Sequence, residues 1–351
     1  MTFSHRMTKI NNIFMPNLLC CPHCKGELTF ATTQVNCNTC QQSWPQILGI
    51  PDFRDPNILY VQQDLVQAEA LMAEFTTKSR AELVELSVKL GSFYHDDQAS
   101  AKLQQQRIRG RQQWQINSHV IDTRLTQLSA LIPLTTSHVA ADVGCGSGSH
   151  LPALSQRYEQ VVGMDAALAE LILAKKLLVE LGIENVQLAC AFAEQLPFKT
   201  QSIDLAVSLY VLEHVHSAQL SLAEVYRALK PQGHFYFAVP FRYTLIPPEP
   251  HTHVWWVGWL PRQWQTRYVQ YFRPNFDFDS IHLFSYHEIN RLAQTIAPNQ
   301  VQFFDPGFDR RFPPVQQNQR AWQLLQYSPL LLKIARFIFR RSIHAIVTRL
   351  S

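Results

Sequence analysis

The feature that most constrains the fold of this chain is a glycine-rich turn between two short apolar segments. Residues 139–143 form an apolar run that predicts a buried strand, and three glycines on alternate positions follow it, beginning with Gly144. Glycine allows a tight turn and a close approach between backbone and ligand. A second apolar run, 161–164, ends at Asp165, at the spacing where a βαβ unit binds a ribose hydroxyl. The pattern predicts a nucleoside-binding α/β unit.

The spacing within this turn excludes two common nucleotide-binding loops. A dinucleotide loop of the form G-x-G-x-x-G needs a glycine three residues after Gly146, but Ser149 stands there. A P-loop needs a lysine directly after its last glycine, and this turn contains no lysine. What remains is a D-x-G-x-G-x-G pattern that begins at Asp142.

This pattern resembles the first motif of class I S-adenosylmethionine-dependent methyltransferases, and in particular of methyltransferase type 11-like proteins. Four further segments follow in the order of that family: Ala193-Glu194-Gln195-Leu196-Pro197-Phe198, Asp204-Leu205-Ala206-Val207-Ser208-Leu209, Leu212-Glu213-His214-Val215 and Arg227-Ala228-Leu229-Lys230-Pro231-Gln232-Gly233. Five motifs in one order make the resemblance specific. It implies an α/β fold with a doubly wound, mostly parallel, Rossmann-like sheet, and S-adenosylmethionine as the cofactor.

The resemblance also implies the residues of the cofactor site. They are Asp142, Gly144, Cys145, Gly146, Gly148, Asp165, Ala166, Phe192, Ala193 and Leu209. In this assignment Asp142 orients the ammonium group of the cofactor and Asp165 accepts from both ribose hydroxyls. Phe192 departs from the family pattern, because similar enzymes often carry there an aspartate that accepts from the adenine amino group. A phenyl ring can still pack on adenine, and weakened cofactor affinity is the alternative.

Histidines near the expected cleft are candidates for proton transfer. His214 follows the fourth predicted strand and is the first candidate for a catalytic base, which a nucleophile carrying a proton would need. A positioning or core histidine is the alternative. His251 and His253 form an H-x-H pair without acidic ligands at a suitable spacing, so the sequence does not predict a metal there.

Four cysteines near the N-terminus predict a structural metal site. Cys21, Cys24, Cys37 and Cys40 form two C-x-x-C pairs, the ligand pattern of a closed tetrahedral Zn²⁺ site. The segment 43–52 resembles the end of Trm112-like zinc ribbons, which often precede bacterial methyltransferase domains. Four unligated thiols are the alternative.

The chain is predicted to comprise four units. They are a zinc ribbon at 17–55, a helical segment at 56–132, a methyltransferase core at 133–309 and a terminal unit at 310–351. The core is expected to contain strands near 139–143, 160–164, 186–190, 203–209 and 234–239, and a tryptophan-rich insertion at 241–280. The terminal unit is expected to hold a basic amphipathic helix and a closing strand.

Two apolar segments suggest partners. Four of the seven tryptophans lie within 255–264, which suits a hydrophobic acceptor or a membrane interface, while a cap that packs on its own core is the alternative. Residues 310–351 contain eight Lys/Arg and no acid. Their segment 329–341 has the composition of a helix that lies on an anionic membrane surface, with packing on the core as an equal alternative.

Together these patterns predict a cytoplasmic methyltransferase that uses S-adenosylmethionine and methylates a small or lipid-like acceptor. The cysteine pattern suits a reducing compartment, and no apolar run is long enough to span a membrane. RNA methylation is one alternative, but nucleic acid is not an expected partner, because the chain before residue 310 is net acidic and no Asn-Pro-Pro-Tyr-type motif follows the fourth strand. A non-catalytic interaction protein with this fold is the other.

Overall fold

The computed structural model describes residues 17–90, 101–129, 132, 138–246, 248–305, 330 and 340–350. The strands in chain order are β1 (Leu28–Phe30), β2 (Gln34–Cys37), β3 (Ser43–Ile47), β4 (Ile50–Pro51), β5 (Val139–Val143), β6 (Gln160–Asp165), β7 (Val186–Cys190), β8 (Ile203–Leu209), β9 (Leu229–Pro240), β10 (Val301–Phe304) and β11 (Ser342–Thr348). The helices are α1 (Leu59–Ala73), α2 (Arg80–Lys89), α3 (Ala101–Gln112), α4 (Trp114–Leu128), α5 (Leu151–Ser155), α6 (Leu168–Leu181), α7 (Ala218–Ala228), α8 (Arg262–Phe272) and α9 (Tyr286–Ile296).

Seven strands form one mostly parallel sheet in the order β10-β11-β9-β8-β5-β6-β7. The strands β5 to β9 pair in parallel, whereas β11 is antiparallel to both of its neighbours. The predicted α/β, doubly wound fold class is therefore confirmed. The strand predicted at 342–348 is present, but it lies between β9 and β10 and does not close the sheet at an edge. The edge strand β10 was not predicted.

The central strands are buried on both faces. Along β5, Val139, Ala141 and Val143 contribute to one core together with α7 and α9, whereas Ala140 contributes to the other core together with α1, α2, α4, α5 and α6. Successive side chains of a strand point to opposite faces, so a sheet covered by helices on both sides reads as a continuous apolar run. This burial explains why the run 139–143 shows no alternation of polar residues.

A second, four-stranded sheet, β1-β2-β3-β4, carries the cysteines and packs directly on the main sheet. The Cys20 amide donates to the Pro197 carbonyl at 2.8 Å, and the Phe53 amide donates to the Cys190 carbonyl at the end of β7, also at 2.8 Å. Lys25 Nζ lies 2.7 Å from a carboxylate oxygen of Glu224 on α7. The N-terminal module therefore contacts the same end of the main sheet at several points.

A buried guanidinium joins this module to the helices and to the main sheet. Arg54 lies 2.6 Å from a carboxylate oxygen of Asp52 and 2.6 Å from one of Asp64, which lies on α1. Arg54 also donates to the Ala166 carbonyl at 2.7 Å. The Asp64 carboxylate accepts in turn from the amides of residues 168–169, at the start of α6. Because the Arg54 and Asp64 side chains are fully buried, this network fixes the loop that follows β6.

Two sequence expectations concern membranes. Among the described residues, no helix combines the length and the apolar character that a membrane span requires. The segment 329–341 lies outside the described residues except for Leu330, Arg340 and Arg341, so its helix stays a prediction.

Replacing Arg54 by methionine should strongly destabilise the protein. Arg54→Met leaves two carboxylates buried without their cation, and we expect a loss of about 3–5 kcal/mol in the free energy of unfolding. Arg157→Met is the matched control, because Arg157 pairs at 2.6 Å with Asp122 on the surface and should contribute less than about 1 kcal/mol. Urea denaturation of both variants measures the difference, and equal losses would contradict the structural role of Arg54.

Candidate functional site

The main sheet creates a crevice where its strand order reverses. The chain moves from β5 to β6 and β7 on one side, and then returns to place β8 on the other side of β5. Ligands of such sheets bind outside the carboxyl ends of the strands at this point. The structure brings all ten predicted cofactor residues to the carboxyl ends of β5, β6, β7 and β8, which are neighbours in the sheet.

The three glycines of the turn after β5 have different physical roles. A Cβ atom on Gly144 would lie 2.1 Å from the Val211 side chain, and one on Gly148 would lie 2.8 Å from the Ala174 side chain on α6. Packing within the protein therefore requires glycine at these two positions. A Cβ atom on Gly146 would meet nothing within 4 Å. Only Gly146 faces open space, which is the space available to a ligand.

Asp142 carries a buried carboxylate at this turn. Its side chain is fully buried, and neither carboxylate oxygen has a hydrogen-bond partner among the residues that the structure describes. An imidazole nitrogen, His150 Nδ1, lies 3.5 Å from Asp142 Oδ2. Burial of an unpaired carboxylate is energetically costly. The arrangement fits a ligand that brings an ammonium group to this position.

Asp165 ends β6 and is bound to the glycine turn. Its two carboxylate oxygens accept from the Gly146 and Ala167 amides, each at 2.8 Å. Burial raises the pKa of Asp165 to about 6. Each carboxylate oxygen can accept a further hydrogen bond. Asp165 is therefore held in place by the backbone and retains capacity for two hydroxyl donors.

Phe192 forms part of an aromatic wall beyond Asp165. Its ring centroid lies 6.4 Å from that of Tyr60, at the start of α1. Burial raises the pKa of Tyr60, and the neighbouring Asp165 carboxylate adds to the effect. The sequence analysis missed Tyr60, because no local motif marks a residue that reaches the crevice from a separate helix. Two aromatic rings beside Ala193 suit a flat apolar group.

Two acidic residues of the family motifs form hydrogen bonds within the protein that stabilise the fold. Glu194 Oε1 accepts from the His216 amide at 2.8 Å and so fixes the segment between β8 and α7. Asp204 Oδ2 accepts from the Val139 amide and from Lys230 Nζ. These two hydrogen bonds link the starts of β5, β8 and β9. Neither carboxylate was predicted to bind the cofactor, and both have protein partners.

The other wall of the crevice brings together three side chains. Glu213, His214 and His251 each offer one ligand atom, and these atoms lie within 4.8 Å of one another. The sequence paired His251 with His253, but His253 is exposed and His251 instead faces His214, with ring centroids 5.0 Å apart.

Burial perturbs the titration of these groups. It raises the pKa of Glu213 to about 8 and lowers the pKa of His214 to about 4. Burial lowers the pKa of His251, but the hydrogen bond to Glu249 and the nearby Glu249 and Glu213 carboxyl groups together outweigh it, so the pKa of His251 is raised. His214 is therefore a neutral imidazole at neutral pH, and the prediction that it acts as the catalytic base stays a prediction.

The four predicted cysteine ligands converge in one cluster. Their sulfur atoms lie within 4.8 Å of one another, with Cys21 Sγ 3.6 Å from Cys40 Sγ and Cys24 Sγ 3.4 Å from Cys37 Sγ. Tetrahedral Zn–S bonds of about 2.3 Å place sulfur atoms about 3.8 Å apart. The donor set and its spacing therefore fit a closed metal site.

The insertion after β9 has a small core of its own. This core consists of Val254, Val257, Val269, Phe276, Phe278, Ile281 and Leu283. The four tryptophans stay outside it: Trp255, Trp256, Trp259 and Trp264 are each at least 44% exposed. The insertion packs around its own core, which was the alternative given in the sequence analysis, but its tryptophans face outward.

Comparison with known proteins agrees with this geometry. Residues 141–237 match the family model described as a methyltransferase domain. An uncharacterized methyltransferase, YcgJ of Bacillus subtilis, is 33% identical over 98 residues, which are 28% of this chain and 39% of the relative. A malonyl-[acyl-carrier protein] O-methyltransferase of Marinomonas sp. is 33% identical over 116 residues, which are 32% of this chain and 42% of the relative. A ubiquinone biosynthesis O-methyltransferase of Pseudomonas entomophila is 35% identical over 100 residues, which are 28% and 42% of the two chains.

The matched segment is thus less than half of each of these curated relatives. Among solved structures, the chain resembles that of YcgJ from Bacillus subtilis with a TM-score of 0.43, 19% identity and coverage of 66% of this chain and 100% of the other. It also resembles the complex of the Haloferax volcanii Trm112 methyltransferase activator with a putative methyltransferase, with a TM-score of 0.39, 17% identity and coverage of 66% and 90%.

Proposed function

We propose that this chain, whose residues 141–237 match the family model described as a methyltransferase domain, transfers a methyl group from S-adenosylmethionine to a small or lipid-like acceptor. The observation that carries the proposal is the buried Asp142 carboxylate, which has no hydrogen-bond partner among the described residues and lies beside the open space at Gly146. The ammonium group of an amino acid moiety is the ligand group that would pair with this carboxylate. The match of the family model supports the methyltransferase class independently.

The residues of the crevice fit the parts of this cofactor. Asp142 would bind the ammonium group, Asp165 would accept from the ribose hydroxyls, and the Phe192 and Tyr60 rings would flank the adenine. The bound sulfonium supplies an activated methyl group that leaves by in-line displacement. The protein's contribution is then to orient the two reactants and exclude water, for which no covalent intermediate is required. The aromatic wall offers an apolar contact where the usual adenine-binding aspartate is missing.

The outward tryptophans support an apolar acceptor. An insertion with its own core holds these four side chains on its surface, where they present flat apolar area with a polar N–H group. Two of the relatives are named as O-methyltransferases, which favours an acceptor that offers an oxygen atom. Membrane contact through 329–341 and a cytoplasmic location remain proposals from the sequence.

We also propose that the cysteine cluster binds one structural Zn²⁺. All four coordination positions would be filled by thiolates, which leaves none for a substrate or a water molecule. The metal would hold β1 to β4 in the shape that positions Asp52 and Arg54 against the main sheet. The metal would thus act indirectly, by stabilising the module that holds the loop after β6 in place.

Calorimetric titration with S-adenosylmethionine and S-adenosylhomocysteine tests the function. We expect both to bind the wild-type chain, and Asp142→Asn to weaken binding by about 10- to 150-fold, the loss of a hydrogen bond to a charged group of about 1.5–3 kcal/mol. The melting temperature of ligand-free Asp142→Asn should not fall, because the variant removes a buried unpaired charge.

The surface variant Asp122→Asn is the control and should bind like the wild type. If neither ligand produces heat or a thermal shift, the non-catalytic alternative is the better description. If Asp142→Asn binds as tightly as the wild type, the role assigned to Asp142 is wrong.

Cofactor binding should depend on pH through Asp165. Ribose hydroxyls donate better to the ionised carboxylate, so the ligand favours the form that predominates above the pKa of about 6. We expect the Kd of S-adenosylhomocysteine to fall about tenfold between pH 5 and pH 7, as the ionised fraction of Asp165 rises. Asp165→Asn should bind more weakly and show a flat profile. An equally steep profile in this variant would assign the titration to another group.

Zinc content tests the metal proposal. After dialysis against a weak chelator, we expect about one Zn²⁺ per chain to be released on denaturation, because a four-thiolate site binds tightly. Cys37→Ser should lose this metal, whereas Cys20→Ser should retain it, since Cys20 adjoins Cys21 but lies outside the cluster. Much less than one Zn²⁺ in the wild-type chain would refute the site.

A further inference from the structure

The side chains of Glu213, His214 and His251 meet beyond the carboxyl end of β8. Glu213 and His214 directly follow β8, while His251 belongs to the insertion after β9. One ligand atom from each lies within 4.8 Å of the others. Two separate segments therefore converge on one small volume, and this volume is distinct from the four-cysteine cluster.

Glu213 presents a buried carboxylate without a hydrogen-bond partner. Its side chain is fully buried, and among the residues that the structure describes neither Oε1 nor Oε2 receives a hydrogen bond. The backbone of Glu213 is engaged, because its carbonyl accepts from the His282 amide at 2.8 Å. A buried carboxyl group without a hydrogen-bond partner, on a backbone that is held in place, favours a ligand that bonds to its oxygen atoms.

His251 is oriented as metal-binding histidines usually are. Its Nδ1 bonds to Glu249 Oε1 at 2.5 Å, and the other oxygen of that carboxylate accepts from the amides of His251 and Thr252 at 2.9 and 2.6 Å. The Glu249 carboxylate thus favours the proton on Nδ1, so Nε2 is the nitrogen through which a metal ion would bind, with release of any proton it carries. A carboxylate behind the imidazole fixes the tautomer and raises the basicity of the ligand nitrogen.

The distances suit a shared ion better than direct contacts. His251 Nε2 lies 3.8 Å from Glu213 Oε1, which is too long for a hydrogen bond. Two ligands on one metal ion with bonds of about 2.1 Å are separated by about 3.0–4.2 Å. The His214 ring stands at 80° to the His251 ring. Imidazole nitrogens on two planes and one carboxylate oxygen can then occupy three positions around an ion.

We propose that Glu213, His214 and His251 form a second metal site that binds a divalent first-row transition ion such as Zn²⁺ or Mn²⁺, with Glu249 as the residue that orients His251. Two imidazoles and a carboxylate are the donors such ions accept, and three protein ligands leave coordination positions open. His214 is then a metal ligand and not a catalytic base.

Three protein ligands would leave coordination positions for oxygen atoms of an acceptor. An ion there would hold acceptor oxygen atoms and lower the pKa of a bound hydroxyl. This role rests on the proposed methyltransferase function, whereas metal binding itself does not.

Metal titration of the full chain, with the cysteine cluster loaded with Zn²⁺, tests the site. Mn²⁺ is the first probe, because it disfavours thiolate ligands, and the loss of its free electron paramagnetic resonance signal counts bound ions. We expect saturable binding of about one Mn²⁺ per chain. Co²⁺ is the second probe, and its visible bands should appear without the near-ultraviolet charge-transfer bands of cobalt thiolates.

The variants separate ligands from bystanders. His251→Ala and Glu213→Gln should abolish the Mn²⁺ and Co²⁺ signals, and Glu249→Gln should weaken binding by about 10- to 100-fold. His253→Ala is the matched control, because His253 lies two residues away and is exposed, and it should bind like the wild type. Glu213→Gln removes a buried charge without changing the volume of the side chain, so it tests the site in a folded chain even if His251→Ala fails to fold.

The proposal is overturned if Mn²⁺ shows no saturable binding, if Co²⁺ gives only thiolate bands, or if Glu213→Gln binds both ions as the wild type does. These results are independent of cofactor binding. A chain that binds Mn²⁺ but no S-adenosylmethionine would support the metal site and refute the proposed function. A chain that binds S-adenosylmethionine but no Mn²⁺ would refute the metal site and leave the proposed function standing.

Discussion

The buried pair of carboxylates around Arg54 holds the three parts of this protein together. Asp52 comes from the end of the cysteine-bearing module, Asp64 from the first helix, and the Ala166 carbonyl from the loop after β6. A guanidinium can satisfy all three acceptors at once because its donors are fixed in one plane. Since this loop directly follows Asp165, the geometry of the carboxylate proposed to bind the ribose depends on residues more than 100 positions earlier in the chain. The N-terminal module is therefore part of the crevice's framework and not a separate appendage.

The crevice contains two buried carboxylates that the described protein leaves unpartnered, one on each side of the strand-order reversal. Asp142 lies at the end of β5 beside open space, and Glu213 follows β8 beside two imidazoles. A buried carboxylate requires a partner, and the kind of partner that fits differs between Asp142 and Glu213 because the neighbouring groups differ. Near Asp142 the fold supplies backbone amides and an open turn, which suit an amino acid group. Near Glu213 it supplies nitrogen ligands, which suit a metal ion.

Sequence patterns anticipated the parts of the structure whose cause is local. The runs at 139–143, 186–190 and 203–209 are strands at the predicted residues, because strands buried on both faces are mostly apolar along their length. The glycine turn and Asp165 were recognisable by spacing, since both belong to one βαβ unit. Other features gave no local signal. Strand β10 is short and half-buried, Tyr60 reaches the crevice from a separate helix, and Arg54 looks like an ordinary charged residue until its two partners are placed around it.

The sequence by itself determined the fold class, the position of the glycine turn and the identity of the four clustered cysteines. Each of these depends on residues close together in the chain, where spacing sets geometry. Only the tertiary structure decided which glycine faces open space, that the tryptophans lie outside the core of their own insertion, and that His251 meets Glu213 and His214 instead of His253. The physical reason is the same in each case, because these outcomes depend on contacts between segments far apart in sequence. Side-chain packing and the pairing of buried charged groups can determine such contacts only when the whole sheet is assembled.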